Sequence, residues 1–349
     1  MRYVYLAKHD LGKFVASLKK KRKVVGPVKK ENKFVFDEIE ETDKLCLEYI
    51  PTILPLKKYF LPQKEVLGKF TMGETKMTET TIEVEPTVVI GAHTCDIDGL
   101  ECLDSVFHTD PADPYYTRRK KSIVIIGYEC MFPCDEHAVC VTMDTHVPKA
   151  GYDVMMTDAG DKYILHVNSK YGDEILAGIN VLETPEDKDL GKVKDELQKL
   201  REDKLGKFKR KINASFREIP DIFEKAYNSK IWEEVGKKCI SCGNCTAVCP
   251  TCYCFDMYDD VTLDIKSGER KRVWDSCQLE EFAEVAGGEN FREERSSRQR
   301  HRYYRKFSYS VKKYKKIFCT GCGRCTRACM AGISLIDTIN ILAKENKNV

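Results

Sequence analysis

Two runs of four cysteines near the C-terminus carry the clearest chemistry in this sequence. The first, residues 239–250, reads C-x2-C-x2-C-x3-C-P, and the second, residues 319–329, repeats the cysteine spacing 80 residues later with Met330 in place of the proline. Three thiolates separated by two residues each can wrap one corner of an iron–sulfur cubane, and small neighbours such as Gly243 and Gly321 let backbone N–H groups approach the sulfides. The two runs therefore predict two 4Fe-4S clusters.

The fourth cysteine of each run is expected to ligate the other cluster, as it does where two such runs occur together. This crossing predicts two ligand sets: Cys239, Cys242, Cys245 and Cys329 for cluster one, and Cys319, Cys322, Cys325 and Cys249 for cluster two. Zinc is the alternative, because paired C-x2-C knuckles build tetrahedral zinc sites. A third cysteine at the same spacing in both runs has no place in such a site, which favours cubanes. Two neighbouring cubanes predict one-electron transfer, and no catalytic residue is assigned.

Three further cysteines lie in or beside an unusually long insertion between the two runs. The insertion spans residues 250–318, a length of 69 residues, and it contains Cys252, Cys254 and Cys277. Free thiols buried beside a cluster are one interpretation of these residues. Additional iron ligands are the other, and the sequence leaves both open.

A looser group of cysteines lies in the N-terminal half, after two predicted strands. Loops that follow neighbouring parallel strands open on the same edge of a sheet, so these side chains could converge. The prediction is a third 4Fe-4S cluster, with four candidate ligands: Cys95, Cys130, Cys134 and Cys140. His93 and Asp96 are candidates to replace one thiolate, or are a loop residue and a helix cap. Cys46 and Cys102 are interpreted as core residues.

The elements that must position these groups follow from the hydrophobic pattern. Residues 84–91 and 122–127 read as buried strands, residues 95–107 as a helix between them, and residues 154–156 and 163–167 as a hairpin. Strand, helix and strand in alternation predict an α/β layer.

The predicted organisation has three parts. They are an α/β domain over residues 1–183, a charged helical connector over 184–230, and an α+β, two-cluster ferredoxin-like domain over 231–349 that contains the insertion.

A basic and aromatic stretch at residues 292–316 contains eleven Lys or Arg and two Glu. Such a run can bind nucleic acid. A charged helix lying over the cluster domain, or a docking face for an acidic partner, is the favoured interpretation, because positive charge also stabilises a reduced cluster.

Composition limits the class of protein. The chain has 349 residues, 42% hydrophobic and 32% charged, which excludes a bare electron-carrier module and disorder throughout. No apolar run reaches the roughly 18 residues that a membrane span needs, and the N-terminus lacks a secretory pattern, so a cytoplasmic location is expected. In a reducing compartment, 17 cysteines indicate metal ligands rather than disulfides. The net charge of +3 implies no particular partner.

Beyond the cysteine runs, several segments resemble one protein family along nearly the whole chain. The sequence is similar to the beta subunit of archaeal cytoplasmic sulfhydrogenase and to the wider family that includes the electron-transfer subunit of anaerobic sulfite reductase. The segments that carry the resemblance, besides the two runs, are residues 90–100, 113–119, 249–254, 274–278 and 286–292.

The resemblance implies an electron-transfer subunit without a substrate site of its own. Its partners would be a flavin-containing subunit that handles NAD(P)H and a catalytic subunit, either a NiFe hydrogenase or a sulfite-reducing sirohaem protein. The chain itself has no G-x-G-x-x-G dinucleotide motif. Two rival functions are an iron–sulfur regulator that binds nucleic acid, and a self-contained reductase that acts through an open N-terminal cluster.

Overall fold

The computed structural model describes residues 2–80, 84–147 and 149–347. The strands within these ranges are β1 Arg2–Ala7, β2 Lys23–Lys30, β3 Lys33–Glu38, β4 Lys64–Thr71, β5 Thr78–Glu79, β6 Thr87–His93, β7 Ile123–Tyr128, β8 Val154–Asp158, β9 Lys162–Val167, β10 Leu182–Glu183, β11 Phe255–Val261 and β12 Ser267–Trp274. The α-helices are α1 Leu11–Lys19, α2 Thr94–Phe107, α3 Pro114–Ser122, α4 Lys170–Leu176, α5 Leu190–Leu205, α6 Ile219–Lys225, α7 Ile231–Lys238, α8 Asn244–Ala247, α9 Arg295–Phe307, α10 Tyr309–Tyr314, α11 Arg324–Arg327 and α12 Leu335–Lys347.

The N-terminal half is built on an eight-stranded mixed sheet with the order β10-β1-β9-β8-β7-β6-β2-β3. Its centre is parallel, through the pairs β2–β6, β6–β7 and β7–β8. Every residue of β6 and β7 is buried, as expected for parallel strands that are covered on both faces. The α/β layer that the sequence predicts is therefore confirmed.

The predicted elements lie close to the observed ones. The strand expected at 84–91 is β6, the helix expected at 95–107 is α2, and the strand expected at 122–127 is β7. The predicted hairpin is the antiparallel pair β8–β9, in which Val154 lies opposite Val167. Helix α1 packs on one face of the sheet through Phe14 and Leu18, and α2 packs on the other.

The insertion between the cysteine runs is joined to the N-terminal half by a second sheet. Its strands β11 and β12 form an antiparallel hairpin, and β12 pairs with β4 in the order β11-β12-β4-β5. Where the two parts meet, Arg272 donates to Glu65 over 2.7 Å, and Arg119 donates to the other oxygen of the same carboxylate over 2.6 Å. The division at residues 183 and 231 stays a prediction, because this sheet crosses it.

The connector and the C-terminal region share a helical core. Helices α6, α7, α9 and α12 contribute Phe223, Trp232, Tyr303 and Ile339 to it. Among the described residues, none of the helices combines the length and the apolar character that crossing a bilayer requires.

Candidate metal centres

The four predicted ligands of cluster one lie around a single cavity. Cys239, Cys242, Cys245 and Cys329 all line it, although the last belongs to the other cysteine run. The crossed arrangement expected from the spacing is therefore the arrangement in which the structure places these thiols.

The four predicted ligands of cluster two line a second cavity. They are Cys319, Cys322 and Cys325 from the second run and Cys249 from the first. Cys325 lines both cavities, so the two sites are immediate neighbours. Neighbouring sites are what one-electron transfer between two clusters requires.

Each C-x2-C-x2-C loop is turned by two residues in the left-handed region of backbone space. In the first run these are Ser241 and Gly243, with φ of 57° and 74°, and in the second run Gly321 and Gly323, with φ of 64° and 72°. Glycine adopts this conformation at little cost, whereas an L-residue is strained there. The matching angles give both loops the same path, so three thiols of each run face one cavity.

The second run has glycine at both left-handed positions because another segment lies directly on it. A Cβ atom on Gly321 would stand 2.6 Å from the backbone nitrogen of Cys140, and one on Gly323 would stand 2.6 Å from the carbonyl oxygen of His137. The backbone N–H of Val139 donates to the carbonyl of Gly321 over 2.8 Å. The N-terminal half therefore covers the loop of cluster two.

Helix α9 presents three polar side chains to the cluster thiols. Gln299 donates to the Sγ of Cys239 over 2.9 Å, and the Nζ of Lys306 lies 3.1 Å from the Sγ of Cys249. Arg302 lines the first cavity between them. All three are at most 4% exposed, and the spacing i, i+3, i+7 places them on one helix face. The interpretation of the basic stretch as a helix over the cluster domain is confirmed.

The electrostatics of both cavities fit negatively charged clusters. Burial raises the pKa of Cys245 and of Cys319 to about 12, so these thiols need a metal to hold them as thiolates. Burial alone would lower the pKa of Lys306, but the thiolates of Cys249 and Cys252 outweigh it and raise that pKa well above its usual value. Among the described residues, the Nε and Nη2 of Arg302 have no hydrogen-bond partner. Two sets of four thiols beside buried cations suit two 4Fe-4S groups.

Cys95, one of the four candidate ligands of a third cluster, lies beside the second cysteine run. The thiol of Cys95 lies beside that of Cys322 of the second run, and this neighbour together with burial raises the pKa of Cys95 well above its usual value. Arg324 donates to the Cys95 sulfur over 3.8 Å. Ligation of a third 4Fe-4S cluster by Cys95 together with Cys130, Cys134 and Cys140 stays a prediction.

Cys130 and Cys134 instead lie with His93, and Cys140 lies on the segment that covers cluster two. The ligand atoms of His93, Cys130 and Cys134 are all within 4.8 Å of one another. Asp96 accepts a 2.7 Å bond from Arg324 and a 3.1 Å bond from the backbone N–H of Leu56. That carboxylate thus has structural partners.

Each of the three cysteines of the insertion lies beside another cysteine. The thiol of Cys252 lies beside that of Cys249, a predicted ligand of cluster two, and the thiol of Cys254 lies beside that of Cys277. The neighbouring Cys254 thiol, together with burial, raises the pKa of Cys277 well above its usual value. Iron ligation by Cys252, Cys254 or Cys277 stays a prediction.

Sequence reasoning did not single out the three α9 side chains that face the cluster cysteines and their cavities. The signal was present, because Tyr303 and Phe307 occur at helical spacing within the basic run and both are fully buried. A helix that buries those aromatic rings must also turn Gln299, Arg302 and Lys306 inward.

The comparisons with known proteins agree with this geometry. Residues 238–333 match the family described as "4Fe-4S dicluster domain", so the chain contains an iron–sulfur domain of this kind. Over 341 residues it is 35% identical to sulfhydrogenase 2 subunit beta of Pyrococcus furiosus, covering 97% of this chain and 98% of that protein. The chain belongs to the sulfhydrogenase beta-subunit family, as the sequence resemblance indicated. No solved structure matches the chain.

Proposed function

We propose that this chain is the iron–sulfur electron-transfer subunit of a multisubunit oxidoreductase. It relays electrons between a flavin-containing subunit that handles NAD(P)H and a NiFe hydrogenase, and it binds no substrate of its own for that reaction. The observation that carries the proposal is the pair of adjoining cavities, each of which is lined by three predicted ligands from one cysteine run and the fourth predicted ligand from the other run.

The two 4Fe-4S clusters, when bound, supply reversible one-electron chemistry. The eight cysteine thiolates hold them side by side. Lys306 and Arg302 offset the negative charge that reduction adds, and helix α9 keeps water from the inner side of both sites. Since electron transfer needs no proton donor at the sulfur ligands, no histidine has a required role.

The edge of cluster one is the place for a redox partner to dock. Cys242 is exposed, and the apolar side chains of Ile240 and Met330 beside the cluster ligands are 58% and 74% exposed. The loop of cluster two is covered by residues 137–140 of the same chain. Electrons therefore enter or leave the protein on the cluster-one side.

Two other functions are less well supported. A nucleic-acid-binding regulator would use the cations of the basic stretch at the surface, but three of the eleven, Arg298, Arg302 and Lys306, are at most 4% exposed, and Arg302 and Lys306 face the cluster cavities. A sulfite-reducing subunit is the alternative partner to the hydrogenase, because it would receive electrons through the same two clusters.

Anaerobic affinity purification of the tagged chain from its own cells tests the proposal. The expected result is a stoichiometric complex with a flavoprotein and a NiFe protein, with about eight irons per copy of this chain after dissociation of the complex. Co-purification with a sirohaem protein would replace the hydrogenase assignment. A chain that contains no iron, or that carries nucleic acid in place of protein subunits, would overturn the proposal.

A further inference from the structure

The N-terminal sheet carries a second kind of metal site, distinct from the eight cluster cysteines. We infer that His93, Cys130 and Cys134 bind one tetrahedral zinc ion whose fourth ligand is water from an adjoining cavity. This inference does not rest on the electron-transfer function, because none of these residues lines either cluster cavity.

The three ligands are brought together by the order of two central strands. His93 is the last residue of β6, and it lies opposite Tyr128, the last residue of β7. Cys130 and Cys134 follow in the loop after β7. Because β6 and β7 are parallel neighbours, both exits open on the same edge of the sheet.

The spacing of the ligand atoms favours a single ion over a cubane. Zinc–sulfur bonds of about 2.3 Å and zinc–nitrogen bonds of about 2.0–2.1 Å place tetrahedral ligands roughly 3.5–4 Å apart. Each ligand of a cubane binds a different iron, so its ligand atoms stand farther from one another. In this group every ligand atom lies within 4.8 Å of the others, which one ion can span.

The histidine is held in place, and one of its buried ring nitrogens lacks a hydrogen-bond partner. Its ring stacks on Tyr49 with 3.8 Å between the ring centroids, and the Tyr49 hydroxyl is fixed by donating to the carbonyl of Gly91 over 2.7 Å. His93 is 2% exposed, and among the described residues its Nδ1 is buried with no hydrogen-bond partner. A buried nitrogen of this kind is expected to be paired, and a metal ion would satisfy the ring.

The fourth coordination position faces a cavity. Within the described part of the chain, no fourth His, Cys, Asp or Glu belongs to the group. His93, Cys130 and Cys134 line a cavity of about 570 Å³, together with aromatic rings such as Phe132. Carboxylates and a lysine also line it: Glu48, Asp158, Asp203 and Lys207. Because three carboxylates and only one lysine line the cavity, its charge does not favour an anionic ligand. We therefore assign water as the fourth ligand. Two cysteines, one histidine and a water form the open coordination found in catalytic zinc sites.

Metal analysis and X-ray absorption of the anaerobically purified protein test the inference. We expect about one zinc per chain beside the cluster iron, with a zinc edge that reports two sulfur ligands at about 2.3 Å and two nitrogen or oxygen ligands at about 2.0–2.1 Å. In Cys130→Ala and in Cys134→Ala, zinc should fall to under roughly a tenth of the wild-type content while iron is unchanged. Cys46→Ala, which removes a half-buried thiol outside the group, should keep both metals.

Several results would overturn the inference. Zinc that is absent from the wild type, or that stays bound in both alanine variants, excludes the site. A loss of about four irons in Cys134→Ala would instead show a third cubane. Cluster iron that is retained in the two alanine variants shows that these variants fold. If the variants do not fold, the X-ray absorption spectrum of the wild-type protein still determines which atoms bind the zinc. Failure of the proposed electron-transfer function would be seen separately, as missing cluster iron or missing partner subunits.

Discussion

Lys306 places a buried positive charge beside a predicted ligand of cluster two. Its ammonium group is 3.1 Å from the sulfur of Cys249 and from the hydroxyl of Thr251, and 3.3 Å from the carbonyl oxygen of Phe318. The side chain is 4% exposed, so solvent does little to screen its charge. A fixed positive charge at this place favours the added electron of a reduced cluster.

Replacing this lysine should lower the reduction potential of cluster two. At an effective dielectric of about 20, a unit charge roughly 6 Å away contributes about 3 kcal/mol, so we expect Lys306→Met to shift the potential by on the order of 100 mV to more negative values. The measurement is a redox titration followed by electron paramagnetic resonance. Cluster one should shift less, and Lys313→Met, which removes an exposed lysine of α10, should leave both potentials unchanged. An unchanged cluster-two potential in Lys306→Met would show that the charge does not act on it.

At the scale of elements, the connector helix is more than a solvated spacer. Helix α5 buries Val193 and Leu197 as its pattern indicates, but it also sends Lys204, which is fully buried, into the α/β layer. There Lys204 donates to Glu129 over 3.0 Å, and Arg201 donates to both oxygens of the same carboxylate over 2.9 Å. Burial opposes ionisation of Glu129, but these partners outweigh it and lower its pKa. This ion network anchors the connector to the end of β7.

Removing the carboxylate of this ion network should destabilise the protein. Glu129→Gln leaves the buried Lys204 and Arg201 without a counter-charge, and the loss of a buried partner typically costs about 3–5 kcal/mol. Because the pKa of Glu129 is lowered in the folded state, its contribution is present above the ordinary glutamate pKa and is lost as pH falls through the lowered value. The difference between variant and wild type should therefore shrink in acid.

Thermal unfolding followed by circular dichroism under anaerobic conditions measures this effect. The matched control is Lys192→Met, which breaks an exposed ion pair with Asp189 on the same helix and should leave the melting temperature unchanged. Equal melting temperatures for Glu129→Gln and wild type at neutral pH would contradict the anchoring role.

At the scale of the whole molecule, the two cysteine runs are one unit, although 69 residues separate them. Each predicted ligand set lies around one cavity and takes three thiols from one run and one from the other. Removing a cysteine should therefore destroy the cluster whose ligand set contains that cysteine, whichever run the cysteine belongs to.

Paired alanine variants test this crossing. We expect Cys239→Ala and Cys329→Ala each to lose about four irons per chain, and their double variant to lose no more, because both act on cluster one. Combining Cys239→Ala with Cys319→Ala should remove both clusters. Iron and sulfide analysis gives the readout, with Cys46→Ala as the control. If Cys319→Ala and Cys329→Ala together lost only one cluster, each run would hold its own.

Much of this protein could be predicted from its sequence alone. The cysteine spacing, the strands β6 and β7 and the helix α2 were all recognised, because turn geometry and hydrophobic period are encoded within a few neighbouring residues. The family resemblance followed from the same local segments.

Only the tertiary structure determined the contacts between residues that are distant in the chain. It placed Cys95 against Cys322, joined β12 to β4, and turned Lys306 inward to Cys249. It also grouped His93 with Cys130 and Cys134. These contacts are set by how helices and sheets pack, and neither spacing nor periodicity along the chain records which distant side chains that packing brings together.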